Sequence, residues 1–138
     1  MKKEIASLLV LLALCVPALA ADVPDMVGNW TGNFSSVGWL KNTHWMASGN
    51  ADYWEEENTL VIEEQNGTRF VGKLIPAENP LAAEVVLGVI SSDNESITLA
   101  DEDGYLWGWM ISPTEMELFD QKVDMDSMNV GAGIFTKE

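Results

Sequence analysis

The chain has 138 residues, of which 22 are acidic and seven are basic, so its formal net charge is −15. A surface this acidic repels phosphate backbones and anionic lipid headgroups, which excludes nucleic acid and anionic membranes as expected partners. The chain contains a single histidine, His44, and a single cysteine, Cys15. This composition excludes a disulfide framework and multi-histidine metal sites.

The first 20 residues have the pattern of an export signal. Lys2 and Lys3 precede an apolar run over residues 5–16, and Ala18-Leu19-Ala20 places small residues where signal peptidase cleaves. The run is shorter than the roughly 20 residues that a membrane-spanning helix needs. We therefore predict a cleaved signal and a secreted or cell-surface protein, with no membrane insertion of the mature chain.

The sequence does not favour a lipid anchor, because Leu14 precedes Cys15 where a lipoprotein signal has a small residue. The expected mature chain, residues 21–138, has no cysteine and a formal net charge of −16, from five basic and 21 acidic residues. Its length suits a single domain with one hydrophobic core.

The mature chain is predicted to be all-β, because short or alternating apolar runs recur between turn residues and no helical period appears. Eight strands are expected, at residues 26–34, 59–65, 69–75, 84–91, 96–101, 105–112, 115–123 and 128–136. Asn66-Gly67, Asp103-Gly104 and Pro113-Thr114 are typical of tight reversals, which indicates antiparallel neighbours. A sandwich and an up-and-down barrel both fit, and we favour the barrel because closure removes exposed edges.

The connection after the first strand is predicted to be a long, aromatic-rich loop over residues 35–58. Long connections in compact domains are often functional, so its aromatic residues are candidates for flanking a binding site at the mouth of the barrel. The alternative is that they cap one end of the core. The candidates in this segment are Trp39, Trp45, Tyr53 and Trp54.

A weak internal sequence similarity indicates on which face of the sheet the side chains of the middle strands lie. Residues 89–91 and 97–99 resemble residues 110–112 and 116–118, as if the same hairpin occurred twice. On that basis Leu87 and Val89 are expected on the same face as Ile97, Leu99, Gly108, Met110, Met116 and Leu118. Tyr105, Trp107, Trp109 and Ile111 are expected on the opposite face, which something must then cover.

The first strand separates an apolar face from a polar face, since side chains alternate along a strand. Gly28, Trp30, Gly32 and Phe34 fall on one face, and Asn29, Thr31, Asn33 and Ser35 on the other. The first set is expected to face the core. Phe70 and Leu74 are expected in the barrel wall.

Gly28-Asn29-Trp30 resembles the Gly-x-Trp that opens the first strand in the calycin superfamily, the lipocalins and avidin-like proteins. The resemblance implies an eight-stranded barrel with the tryptophan closing one end. Lipocalins pair this tryptophan with an arginine on the last strand, and here only Lys137 lies near that end. No biotin-contact pattern can be placed, so the resemblance implies the barrel and not a ligand.

Four Asn-x-Ser/Thr sequons, at Asn29, Asn33, Asn66 and Asn94, are candidate glycosylation sites. They lie in expected turns or on an expected outward face, where glycans fit, although they could equally be unmodified.

Acidic segments suggest calcium, but the spacing does not support it. An EF-hand that began at Asp101 would need a glutamate at its twelfth position, where Ser112 stands. Asp103-Gly104 is better explained as a hairpin turn. We therefore expect no metal or cofactor, and no catalysis, since the mature chain has no cysteine nucleophile to pair with His44 and paired carboxylates are not specific among so many acids.

The six tryptophans are many for a small domain and need a role. We predict a non-catalytic barrel that binds a small apolar or aromatic ligand, with Trp107 and Trp109 as further candidates. The alternatives are simple core filling, recognition of a glycan, a protein or a partner subunit by an exposed Trp107/Trp109 strand, and inhibition of extracellular proteases.

Overall fold

The computed structural model describes residues 22–40, 51–125 and 127–138, so the predicted signal segment, His44 and Trp45 lie outside the described residues. Eight strands follow one another along the chain. They are β1 (Gly28–Leu40), β2 (Asp52–Asn66), β3 (Arg69–Pro76), β4 (Glu84–Ile90), β5 (Ser96–Ala100), β6 (Gly104–Ser112), β7 (Glu115–Val123) and β8 (Ser127–Lys137), with a 3₁₀ turn at Pro80–Ala82.

The strands form one closed antiparallel barrel in sequence order, and β8 pairs with β1. This confirms the predicted fold class. The last six strands lie within one residue of their predicted bounds, because apolar alternation and turn residues mark each of them.

The predicted loop over residues 35–58 is wrong in its bounds. β1 continues to Leu40 and β2 begins at Asp52, so only residues 41–51 connect them. The Ser35–Gly38 segment pairs with both β2 and β8. Gly38 is required there, because a Cβ atom would lie 2.8 Å from the Trp54 ring and from the Met128 carbonyl oxygen.

The interior is an apolar core to which every strand contributes. Fifteen buried hydrophobic residues form it: Met26, Trp30, Phe34, Leu60, Ile62, Phe70, Leu74, Val86, Ile90, Ile97, Leu99, Leu106, Met116, Leu118 and Phe135. The predictions for the first strand and for Phe70 and Leu74 are confirmed, since Trp30 is fully buried and Phe34 is 3% exposed. An eight-stranded barrel is just wide enough for side chains to fill its interior.

The predicted facing of Leu87 and Val89 is wrong. Both point outward and are exposed, whereas Ile90 pairs with Ile97 on the inward face. The internal similarity misleads because β6 has a register irregularity between Met110 and Ser112, which changes the alternation at the end of that hairpin. Tyr105, Trp107, Trp109 and Ile111 do point outward, as predicted.

Candidate functional site

One end of the barrel, here called the Trp30 end, is closed by the segment that precedes β1. Met26 is fully buried, and its carbonyl oxygen accepts a 2.8 Å hydrogen bond from the Trp30 indole Nε1. Gln65 fixes the same segment, accepting from the Met26 amide at 2.7 Å and donating to the Pro24 carbonyl oxygen at 2.9 Å. The segment therefore covers this end of the core.

Lys137 also contacts the residues that close the Trp30 end. Its ammonium lies 5.5 Å from the centroid of the Trp30 ring, within the range of a cation–π contact. The same ammonium donates to the Asp25 carbonyl oxygen at 2.8 Å. The last strand thus places a lysine over the tryptophan, where the calycin resemblance implies an arginine.

The opposite end, here called the Lys122 end, contains a group of ion pairs. The Lys122 ammonium lies 2.7 Å from Asp103 Oδ1, 3.0 Å from Glu84 Oε2 and 3.5 Å from Asp101 Oδ2. Burial alone would lower the pKa of Lys122, but hydrogen bonds to Asp103 and Glu84 and the charge of Asp101 raise it above its ordinary value. The ammonium therefore stays charged across the physiological range.

The three carboxylates approach one another closely enough to hold a cation, since one oxygen from each lies within 4.8 Å of the others. The Lys122 ammonium already lies among them, which supplies the positive charge. Asp101 also forms the predicted turn, because its Oδ1 accepts a 2.6 Å hydrogen bond from the Gly104 amide. Sequence reasoning missed Glu84 in this cluster, because nothing near it in the sequence indicates the contact.

Asp120 lies deeper at the same end and is 8% exposed. Its Oδ2 accepts a 2.9 Å hydrogen bond from Nδ2 of the Asn129 side chain. Burial raises the pKa of Asp120 to about 6, while the charge of Lys122 opposes that rise and Asp101 and Asp103 add to it.

Asp120→Asn is expected to stabilise the protein at neutral pH. The pKa of Asp120 is raised from 3.8 to about 6 on folding, so the folded state binds more protons between these values. The stability that Asp120 contributes is therefore present at low pH and is lost as the pH rises through about 6. Denaturant unfolding should show the variant more stable by roughly 1–3 kcal/mol above pH 7, with the gain vanishing near pH 4.

Asp93→Asn is the control, for which the opposite change in stability is expected. A side-chain hydrogen bond from Ser96 is the main cause that lowers the pKa of Asp93 to about 2. Its stabilisation is present above the ordinary pKa and is lost only as the pH falls through about 2, so this variant should lose stability at neutral pH. If the stability changes of the two variants depended on pH in the same way, the opposite pKa shifts assigned to Asp120 and Asp93 would be contradicted.

An apolar cavity of about 460 Å³ lies at the outer edge of the Lys122 end, where β7, β8 and β1 meet. We call it the rim groove. Its lining is mostly apolar, and Gln121 and Asn129 supply its polar groups. The lining residues are Val37, Gly38, Trp39, Ala51, Gln121, Val123, Met128, Asn129 and Val130.

A second apolar surface lies on the outside of β6 and β7. The Trp107 ring stacks on the Phe119 ring with centroids 4.4 Å apart and planes 12° apart. Trp109 contacts the same phenylalanine at 5.4 Å between centroids. Trp107 and Trp109 remain 42% and 39% exposed, so Phe119 covers them only in part.

The structure places the candidate binding residues in two groups. Trp39 lines the rim groove and shares a neighbouring recess with Trp54, while Tyr53 and Trp54 flank another recess between β1 and β2. Trp107 and Trp109 lie on the outer face of β6, where Thr98 and Ser96 of β5 are their cross-strand partners. Sequence reasoning missed the groove residues Val123, Met128 and Val130.

Three of the four sequon asparagines, Asn29, Asn33 and Asn66, are exposed, and Asn94 is half-buried at a positive φ of 58°. Glycosylation of these residues stays a prediction.

No protein-family model matches the chain, and no curated protein is similar enough in sequence to count as a relative. Across the described ranges, no helix is long and apolar enough to span a bilayer.

Proposed function

We propose that the protein is a non-catalytic, extracytoplasmic binding protein of calycin type that holds a small apolar or aromatic ligand in the rim groove. The groove itself is the observation that carries this proposal. Its volume of about 460 Å³ falls within the usual range for small-molecule sites, and its lining combines apolar side chains with a few polar groups.

The position of the groove follows from the packing of the barrel. Core side chains from all eight strands occupy the interior, and Phe34 and Phe135 meet there with ring centroids 5.0 Å apart. A ligand inside would have to displace them, which is costly in a close-packed core. The surface groove requires no such displacement.

The closed Trp30 end supports the calycin part of the proposal. Gly28-Asn29-Trp30 opens the first strand, and the cationic residue over the indole comes from the last strand. The predicted signal supports export, and the absence of a histidine or cysteine from residues 51–138 supports a role without catalysis.

The test is binding of the neutral fluorescent dye Nile red to the purified protein. Trp39→Ala removes the largest side chain of the groove, so we expect the dye affinity to fall by roughly 10- to 100-fold, since burial of one large apolar side chain contributes about 1.5–3 kcal/mol.

Trp109→Ala is the matched control, because it removes an exposed tryptophan that lies outside the groove. We expect its dye affinity to equal that of the wild type. The proposal is wrong if the two variants lose affinity equally, or if only Trp109→Ala loses it.

A second candidate function is recognition of a glycan or protein by the outer face of β6. The exposed Trp107 and Trp109 rings favour it, because exposed aromatic rings can pack against sugars and aromatic residues are enriched at protein interfaces.

A further inference from the structure

The outward positions of β4, β5 and β6 form a continuous surface without a charged side chain, which we call the neutral face. This is unusual in a chain with 22 acidic and seven basic residues. The residues of the neutral face are Val85, Leu87, Val89, Ser96, Thr98, Ala100, Tyr105, Trp107, Trp109 and Ile111.

The neutral face exposes as much apolar surface as the largest patches found on monomers. Its seven large apolar side chains are each between 39% and 60% exposed. At roughly 200 Å² for each aromatic side chain and about 130 Å² for each aliphatic one when fully exposed, they present on the order of 500–600 Å². The largest patch on a typical monomer is about 300–600 Å², and a standard interface buries about 800 Å² on each partner.

The shape of the neutral face is self-complementary. Tyr105, Trp107 and Trp109 form a ridge along β6. Each of them has a small residue beside it on β5, in the pairs Ala100–Tyr105, Thr98–Trp107 and Ser96–Trp109. A two-fold axis parallel to the strands lays the ridge of one copy over the row of small residues of the other, as an isologous interface requires.

Charge favours a second copy over a basic partner. A basic protein binds most tightly to a surface that contains acidic side chains, and the neutral face contains none. A copy of this chain carries the same net charge of −15, so it can approach closely only across uncharged surface. Charged residues lie only at the edges of the neutral face, where Glu117 on β7 is the cross-strand partner of Trp109 and Arg69 on β3 is the partner of Val89.

We propose that the neutral face binds a second copy of this chain and forms a two-fold dimer. The dimer contact uses none of the residues that line the rim groove, and the two surfaces adjoin where Tyr105 of the neutral face donates a 3.0 Å hydrogen bond to Gln121 of the groove. The dimer proposal therefore does not rest on ligand binding.

Sedimentation velocity of the purified protein over a concentration series tests the dimer. Trp109→Ser is expected to weaken dimerisation by at least about 30-fold, as loss of an interface tryptophan costs roughly 2 kcal/mol or more. Leu87→Glu, which changes a side chain that is 60% exposed, should weaken it similarly without disturbing the core. Trp39→Ser, in the rim groove, is the matched control and should dimerise like the wild type.

Salt dependence separates a second copy from other partners. Raising NaCl from about 0.05 to about 0.5 M should strengthen the dimer, because screening weakens repulsion between two acidic copies. A wild-type protein that stays monomeric at high concentration would overturn the proposal and leave the face to a glycan or another protein. Association that survives both Trp109→Ser and Leu87→Glu, or that weakens with salt, would also overturn it.

Discussion

Trp30→Ala is expected to lower the free energy of unfolding by about 3–5 kcal/mol, the range for a buried tryptophan reduced to alanine. Trp30 is fully buried, donates to the Met26 carbonyl oxygen at 2.8 Å and lies beneath the Lys137 ammonium. The substitution leaves a cavity and frees the segment that covers the Trp30 end. Urea unfolding followed by far-UV circular dichroism measures the loss.

Tyr53→Ala is the control, because Tyr53 is 81% exposed on the outside of β2 and should change stability by less than about 0.5 kcal/mol. Trp30→Phe keeps a ring but loses the indole donor, so its loss of unfolding free energy should lie between those of Trp30→Ala and Tyr53→Ala. If Trp30→Ala and Tyr53→Ala cost the same, Trp30 does not close the barrel.

Lys122→Met is expected to destabilise the protein by roughly 1–3 kcal/mol at neutral pH, between the values for exposed and buried ion pairs, because the Lys122 side chain is 22% exposed and that of Asp103 is 54% exposed. Three carboxylates lose their shared counter-ion, and the Asp101 side chain among them is fully buried. Chemical unfolding at neutral pH measures the loss.

Lys73→Met is the matched control, since Glu63 is the only ion-pair partner of Lys73 among the described residues and the two side chains are 45% and 48% exposed. Exposed pairs contribute about 0–1 kcal/mol, so this variant should be nearly neutral. A Lys122→Met variant that loses no more stability than Lys73→Met would show that the Lys122 cluster does not support the fold.

Local sequence patterns predict six of the strands but not the lengths of β1 and β2. From β3 onward, inward apolar residues alternate with outward ones between turn residues such as Asn66-Gly67. Ser35–Gly38 and Glu55–Glu57 lack that alternation, and acidic residues disfavour strands in isolation. These segments are strands because their neighbours in the closed barrel supply hydrogen-bond partners.

The candidate site was less predictable, since barrel closure assembles it from distant residues. Trp39 meets Met128 and Val130 only because β1 pairs with β8. In the same way, Glu84 reaches Lys122 across four consecutive strands that curve around the Lys122 end. Periodicity predicts which way a side chain points along its own strand but not which distant residues it meets.

Mapping of the bound dye by NMR tests most directly whether ligands bind outside the packed interior. ¹⁵N-labelled protein is titrated with Nile red, and changes in amide chemical shift are assigned to residues. We predict that the changes cluster at the rim groove, around residues 37–39 and 121–130. Changes centred on core residues such as Leu60, Ile97 and Leu118, with the groove unaffected, would contradict binding at the rim.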